Sequence, residues 1–283
     1  MITPEEEAYL HTKAYVPEHI LNLMVPISKG EPFLKEDHLG FQKDNWVIVV
    51  GYPLDGNFSQ ERCERILKQT VETFRPEYLW FIGPEAPTAL LGSCKERETD
   101  RYYRLDLEQI KLKPSLQRMA DIASKALTME RGHSISKEHQ SLIAELLKRE
   151  KLSPRVRELY RAMPDYVAYS SSAYVLNARD ESGKLCAFYV VELGAKNFST
   201  YVLGAHSKKH YVPHASDLLF LEMIRLTREH GKNVINLGLG VNEGIRRFKE
   251  KWGGVPFLNY EFCERVYGYT RTVSLIKTLE GKL

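Results

Sequence analysis

The residues best able to do chemistry begin in a short basic loop, His206-Ser-Lys208-Lys209-His210-Tyr-Val-Pro-His214-Ala-Ser216. Lys208 and Lys209 stand just before a helix that Ser216 is expected to cap. Uncommitted amides and the helix dipole at such a start favour a phosphate, so the loop reads as an anion site. His206 titrates, when unperturbed, at about 6.5, which suits a general base. The fourfold spacing of His206, His210 and His214 invites a metal reading. Val212 and Pro213 keep this loop from being helical, so the three rings would not share a face. No carboxylate motif accompanies them, and no metal is expected.

The second block is Asn233-Val-Ile-Asn-Leu-Gly238-Leu-Gly240-Val-Asn242-Glu-Gly244-Ile-Arg246-Arg-Phe248-Lys249-Glu-Lys251-Trp252-Gly-Gly254. Val234, Ile235 and Leu237 make a buried strand. Gly238 and Gly240 allow a sharp turn, and Asn242 caps a helix. Ile245, Phe248 and Trp252 form its apolar face, basic residues the rest, and Gly253-Gly254 stop it. Lys249 follows a core phenylalanine by one position, about 100° round the helix. It can therefore point into a cleft and stabilise an oxyanion or a terminal phosphate. Asn242 and Arg246 can reach the same cleft.

A dinucleotide-binding reading fails here. The spacing is GxGxxxG, and only 39 residues follow Gly244, too few for the βαβαβ half that would have to continue. Neither a G-x-S-x-G element nor a Walker A sequence occurs.

The elements that must position these residues alternate. Trp46 to Tyr52 reads as a buried strand, Ser59 to Phe74 as a capped helix, Tyr78 to Gly83 as a strand and Tyr102 to Leu107 as an edge strand. Strand, helix, strand with short links implies parallel pairing. Helices follow over 114–129, from Ser136, and over 154–163. Residues 173–179 and 185–193 form a hairpin, 199–205 a strand, 217–230 a helix and 258–265 a last alternating strand. The strand-helix-strand order of the first half returns in longer form in the second. This predicts an α/β (α+β) chain of two tandem domains, 1–111 and 112–283, with mixed central sheets flanked by helices.

At 283 residues, 43% hydrophobic and 11% aromatic, the chain can bury a substantial core. A net charge of +3 does not announce a nucleic-acid protein. Cys63, Cys94, Cys186 and Cys263 form no CxxC and read as reduced thiols of a cytoplasmic protein. The acidic N-terminus is no signal peptide, and no apolar run reaches membrane-spanning length.

The segments His214-Ala-Ser-Asp-Leu-Leu, Asn236-Leu-Gly and Asn242-Glu-Gly-Ile-Arg-Arg-Phe248-Lys249-Glu-Lys251-Trp-Gly-Gly254 resemble the GNAT acyltransferase superfamily. The nearest likeness is to FemABX-like peptidyltransferases and the related domains of lysyl-phosphatidylglycerol synthases, which pair two GNAT folds in tandem. The motif spans about 40 residues. The resemblance implies a cytoplasmic transferase moving an acyl or aminoacyl group to a small-molecule or peptide amine. Acyl-CoA (acetyl-CoA) is the favoured donor and aminoacyl-tRNA the other. The loop at 206–215 lacks the glycines that hold CoA pyrophosphate in ordinary GNAT enzymes, and Lys249 stands where those often carry a tyrosine. The donor is expected between strands 199–205 and 233–238. Lys249 would stabilise charge, while His206 or Glu192 would take the amine's proton, Glu192 directly or through water. Lys208, Lys209, Ser216, Asn242 and Arg246 would hold the donor. A catalytically silent pair that binds a nucleotide, lipid headgroup or protein is the alternative.

Overall fold

Strands of Val, Ile, Trp and Phe with buried side chains on both faces need helices on both sides. The computed structural model, which describes residues 2–267, provides them in each of two units. Unit 1 comprises residues 2–103, Leu239–Arg246 and, of the described residues, 256–267; unit 2 comprises Arg104–Gly238 and Arg247–Val255.

Unit 1 opens with helix α1 (Pro4–Lys13), whose start is closed by a capping box between Thr3 and Glu6. Helix α2 (Leu21–Ser28) follows, then strands β1 (Glu31–Lys35), β2 (His38–Lys43) and β3 (Trp46–Val50), helix α3 (Gln60–Phe74), strand β4 (Tyr78–Gly83), a single turn α4 (Thr88–Leu91) and strand β5 (Glu96–Asp106). Ser59 accepts from the Arg62 N–H and caps α3 as its sequence indicates. β3 and β4 pair in parallel through α3. β1, β2 and β3 are a meander, which no strong sequence alternation announced.

Unit 2 contains α5 (Pro114–Ser124), β6 (Thr128–Gly132), α6 (Lys137–Arg149), α7 (Pro154–Arg161), α8 (Met163–Tyr169), β7 (Ala173–Arg179), β8 (Leu185–Glu192), β9 (Phe198–His206), α9 (Ala215–Glu229) and β10 (Val234–Leu239) up to Gly238; α10 (Glu243–Lys251) starts in unit 1 and belongs to unit 2 from Arg247. The helix expected over 114–129 ends at Ser124, and its last residues belong to β6. That strand is polar and half exposed, so it lacked an apolar signature. The order in this unit is β10-β9-β8-β7-β6. The expected hairpin is the antiparallel β7–β8 pair, and β9 runs parallel to β10.

Strand β11 (Val255–Val266), the last among the described residues, returns to unit 1, where it lies between β4 and β5. Its alternation serves two cores. Tyr260 and Phe262 join Trp46, Ile48, Trp80 and Leu10 on one side. Cys263 joins Val47, Val49, Phe81 and the Cys63–Ile66–Leu67 face of α3 on the other. Four reduced thiols were expected, but Cys94 and Cys263 form a disulfide with Cα atoms 5.5 Å apart. Their separation of 169 residues hid that proximity. Cys63 and Cys186 are free and buried.

Candidate active site

Parallel strands β9 and β10 register only at Val234↔Phe198, Ile235↔Ser199 and Asn236↔Thr200. The paired register ends at Thr200 and Asn236, though β9 runs on to His206 and β10 to Leu239. Just beyond this end, β9 carries an irregularity against β8. Val190 faces Leu203 and Val191 faces Tyr201, which leaves Val202 outside the ladder. A bulge of this kind bends its strand and frees a backbone N–H.

Lys249 belongs to this end of the pairing. It is buried, with 5% of its surface exposed. Gly238, at φ +73°, turns the end of β10. A Cβ built there would lie 3.7 Å from the Tyr201 carbonyl oxygen and 4.0 Å from Lys249 Nζ. The ammonium thus sits at the end of β10, close to β9. The helix that bears it is anchored through Trp252, which stacks on Phe220 at 4.7 Å and donates its indole N–H to Asp217 at 3.1 Å. Gly253 at φ +90° ends the helix, and the Gly254 N–H closes on the Lys249 carbonyl at 2.9 Å.

The surroundings are aromatic. Tyr201 packs edge-on to Tyr189 at 4.9 Å, and Tyr160 donates to the Gly204 carbonyl at 2.8 Å. Burial raises the Tyr201 hydroxyl well above its ordinary pKa and brings Tyr160 to about 12, so both rings hold their protons at neutral pH.

His206 ends β9 with its ring 6.3 Å from that of Tyr211. Burial first, then Arg149, lowers its pKa, against the opposing pull of Glu145 and Glu150. The imidazole is therefore neutral at physiological pH.

Glu192 has no exposed surface. Its Oε2 accepts from Tyr166 at 2.6 Å and Ser170 at 2.8 Å, and its Oε1 from the Gly194 N–H at 2.6 Å. Three donors commit both oxygens and tie α8 to the end of β8.

The basic loop is arranged differently from its sequence expectation. Ser216 does not cap α9. The capping position falls to His214 at φ +64°, which makes no side-chain cap bond. Ser216 is already helical, and its carbonyl accepts from Tyr189 at 3.1 Å. The dipole of α9 is met instead by Asp217, 5% exposed, which pairs with Lys251 and faces His214 Nδ1 at 3.3 Å. A carboxylate thus occupies the first turn where a phosphate was expected. Lys208 and Lys209 are exposed, and the Lys208 backbone N–H donates to Glu145 at 2.6 Å. Among the described residues no three His, Cys, Asp or Glu side chains converge to hold a metal ion.

Asn242 does cap α10. Its Oδ1 accepts the Ile245 N–H at 2.9 Å, and its carbonyl the Arg246 N–H at 3.0 Å. The positive φ expected of Gly240 belongs to Val241, at +58°. A cavity of about 270 Å³ lies between residues 104–116 and the end of α10. Arg104, Lys111, Lys113 and Lys251 line it, with Asp106 and Glu250.

The sequence singled out Lys249 and the strands 199–205 and 233–238, and the structure brings Lys249 Nζ to the end of β10. Sequence reasoning assigned no separate role to Val202, Thr200, Asn236 or Asp217. Only a register or a tertiary partner distinguishes these from ordinary strand and helix residues, and neither is written locally.

No protein-family model and no curated protein sequence matches the chain. Solved structures do. FemX superposes with a TM-score of 0.61 over 92% of this chain and 96% of its own, at 12% identity. L-PGS from Bacillus licheniformis gives 0.57 over 99% and 96%, at 15% identity. A tandem GNAT protein from the clavulanic acid biosynthesis pathway gives 0.53 over 83% and 79%, at 14% identity. At the level of fold, the chain is similar to the FemABX-like branch of tandem GNAT proteins.

Proposed function

We propose that this protein transfers an acyl or aminoacyl group from an activated donor to an amine, as a GNAT-type N-acyltransferase. Acyl-CoA, with acetyl-CoA the simplest case, is the favoured donor and aminoacyl-tRNA the other. We take residues 1–111 and 112–283 as its two GNAT-like halves and assign the chemistry to the second. The observation that carries this reading is the end of the β9–β10 pairing at Thr200 and Asn236, with Lys249 Nζ at the end of β10.

In this reaction the amine nitrogen attacks the donor carbonyl carbon and forms the C–N bond. The carbonyl π electrons move onto oxygen. When the intermediate collapses, the C–S bond of a thioester breaks and the thiolate leaves. Lys249 and the N–H freed at Val202 stabilise the oxyanion. His206, neutral at physiological pH, is the proton acceptor. The proton that His206 accepts neutralises the leaving thiolate, because burial makes Tyr160 and Tyr201 too weak as acids to supply it. Glu192 is given a positioning role, because its oxygens already accept three hydrogen bonds. The donor's phosphates are assigned to Arg104, Lys111 and Lys113 around the 270 Å³ cavity, since Asp217 occupies the start of α9.

Lys249→Ala is expected to lower turnover at least tenfold, with Lys249→Met keeping the buried volume as a control on folding. Unchanged turnover in both variants removes Lys249 from the chemistry. One observation favours the second reading, a silent GNAT-like pair that binds a nucleotide, lipid headgroup or protein: the carboxylate at the first turn of α9. Thermal shifts with CoA, acetyl-CoA and deacylated tRNA separate the two, because a ligand that binds only the folded state raises Tm. No shift with any of the three favours the silent pair.

A further inference from the structure

His206 is half-buried at the end of β9, and the chain on both sides of it is pinned. Tyr160 of α7 holds the Gly204 carbonyl, two residues before the ring. The Ser207 N–H closes on the Cys186 carbonyl of β8 at 2.8 Å. One side chain from α6 then gathers the residues that follow. Glu145 Oε1 accepts the Lys208 N–H at 2.6 Å, and its Oε2 accepts the Ser207 hydroxyl at 3.2 Å. Ser207 is 1% exposed, and its oxygen also accepts the His210 N–H at 3.1 Å. Bonds to an ionised acceptor are roughly twice as strong as neutral ones, so Glu145 is the firmest tie of this turn to the helix beneath it.

The same carboxylate also bears on the ring's charge. Glu145 stands one helical turn before Arg149, 3.7 Å from its guanidinium, and Arg149 meets Glu150 at 2.8 Å. Four charged groups act on the imidazole. Arg149 and, more weakly, Lys208 of its own loop oppose its protonation, whereas Glu145 and Glu150 favour it. The Lys208 N–H first, then the Ser207 hydroxyl and Arg149, hold the Glu145 carboxyl below the usual carboxylate range. Glu145 is therefore ionised wherever an imidazole titrates. Nothing in the sequence marked it, because its partner Ser207 is 62 positions away.

We propose that Glu145 is a positioning residue for His206: its two oxygens fix the backbone that follows the ring, and its charge, set against that of Arg149, keeps the imidazole able to take and return a proton. The inference rests on the transferase reading, in which His206 accepts the amine's proton, and adds to it the group that places and balances the base. Burial and Arg149 alone would leave the ring neutral but a poor base. Glu145 restores part of its basicity without binding the ring itself, so both ring nitrogens stay clear of it.

The test is an NMR titration of the His206 ring in the full chain and three variants. Glu145→Gln keeps an acceptor for the Lys208 N–H and removes the charge. Glu145→Ala removes both. Arg149→Met removes the opposing charge and keeps the stem. The His206 midpoint is expected to move down in both Glu145 variants and up in Arg149→Met. Solvent exchange of the Lys208 amide is expected to quicken about tenfold or more in Glu145→Ala and to stay near wild type in Glu145→Gln. A glutamate with a purely structural role would alter the exchange but not shift the midpoint in opposite senses. A midpoint that stays in place in Glu145→Gln and Arg149→Met overturns the proposal, and so does a Lys208 amide indifferent to Glu145→Ala. If Glu145→Ala does not fold, the other two variants still decide the matter. CoA release from acetyl-CoA, the probe donor, ties the result to the reaction. The acid limb of its pH profile is expected to move with the midpoint, because only the neutral ring accepts a proton. A limb that stays fixed while the midpoint moves overturns the positioning role. No release by the wild type sinks the acyl-CoA reading and the catalytic use of the ring with it, and the titration, which needs no turnover, tells that failure apart from a failure of Glu145 to act on His206.

Discussion

At the scale of single residues, Asp217 shows how the site's helix is held. It lies in the first turn of α9, where the dipole favours a negative charge, and it receives Lys251 and the Trp252 indole N–H. Both partners flank the segment that ends α10, so the carboxylate fixes the helix carrying Lys249. Asp217→Ala strands a buried indole N–H and is expected to lower stability by about 2 kcal/mol in denaturant titration. The Lys251 pairing contributes little of this, because that lysine is a third exposed. Asp217→Asn keeps an acceptor for Trp252 and should restore about half. A loss below about 0.5 kcal/mol in Asp217→Ala would mean that the Trp252 and Lys251 contacts do not hold α10 in place. Asn242 was legible in the sequence because a cap acts on a residue three positions away. Asp217 was not, because its partners are more than 30 positions distant.

At the scale of elements, the contact that matters most is the end of α10 against β10. Gly254 is forced there by space. An added Cβ would lie 2.7 Å from Leu237 Cδ1 and 2.9 Å from the Lys249 carbonyl oxygen. The leucine methyl can rotate away, but the carbonyl belongs to the helix end and cannot move alone. Gly254→Ala is therefore expected to destabilise by about 1–3 kcal/mol and to lower turnover beyond that loss, because the strain is relieved by shifting Lys249. Normal turnover in the folded fraction of the variant would show that the position of Lys249 tolerates such a shift. The strand, glycine turn, basic helix and glycine stop of this region were read directly from residues 233–254. Elements with a strong apolar period were read equally well: β3, α3, β4 and the β7–β8 hairpin. β6 and β1 were missed because their residues are polar or half buried, and β2, though buried from His38 to Phe41, because Gly40 and its polar ends leave only Leu39 and Phe41 as an apolar signal.

At the scale of the whole molecule, chain order and core membership diverge. β11 follows β5 by about 150 residues of chain, yet it lies between β4 and β5, and Tyr260, Phe262 and Cys263 fill the two cores of unit 1. The sequence suggested a division near residue 112 because helices begin there, and pairing across 169 residues leaves no local trace. The consequence can be tested by truncation. A fragment of residues 1–111 lacks the strand that pairs with β4 from Tyr78 to Gly83. It also loses two buried aromatic side chains, each contributing roughly 1.5–3 kcal/mol of burial. It cannot form the Cys94–Cys263 bond, whose removal costs about 2–5 kcal/mol in a small domain. Those losses rival the whole stability of a domain this size, about 5–15 kcal/mol. The fragment is expected to show no cooperative unfolding transition by tryptophan fluorescence, and joining residues 256–267 to it through a flexible linker should restore one. A fragment that unfolds cooperatively without β11 would show that the meander and the α3 crossover hold this core by themselves, and that β11 adds little to its stability.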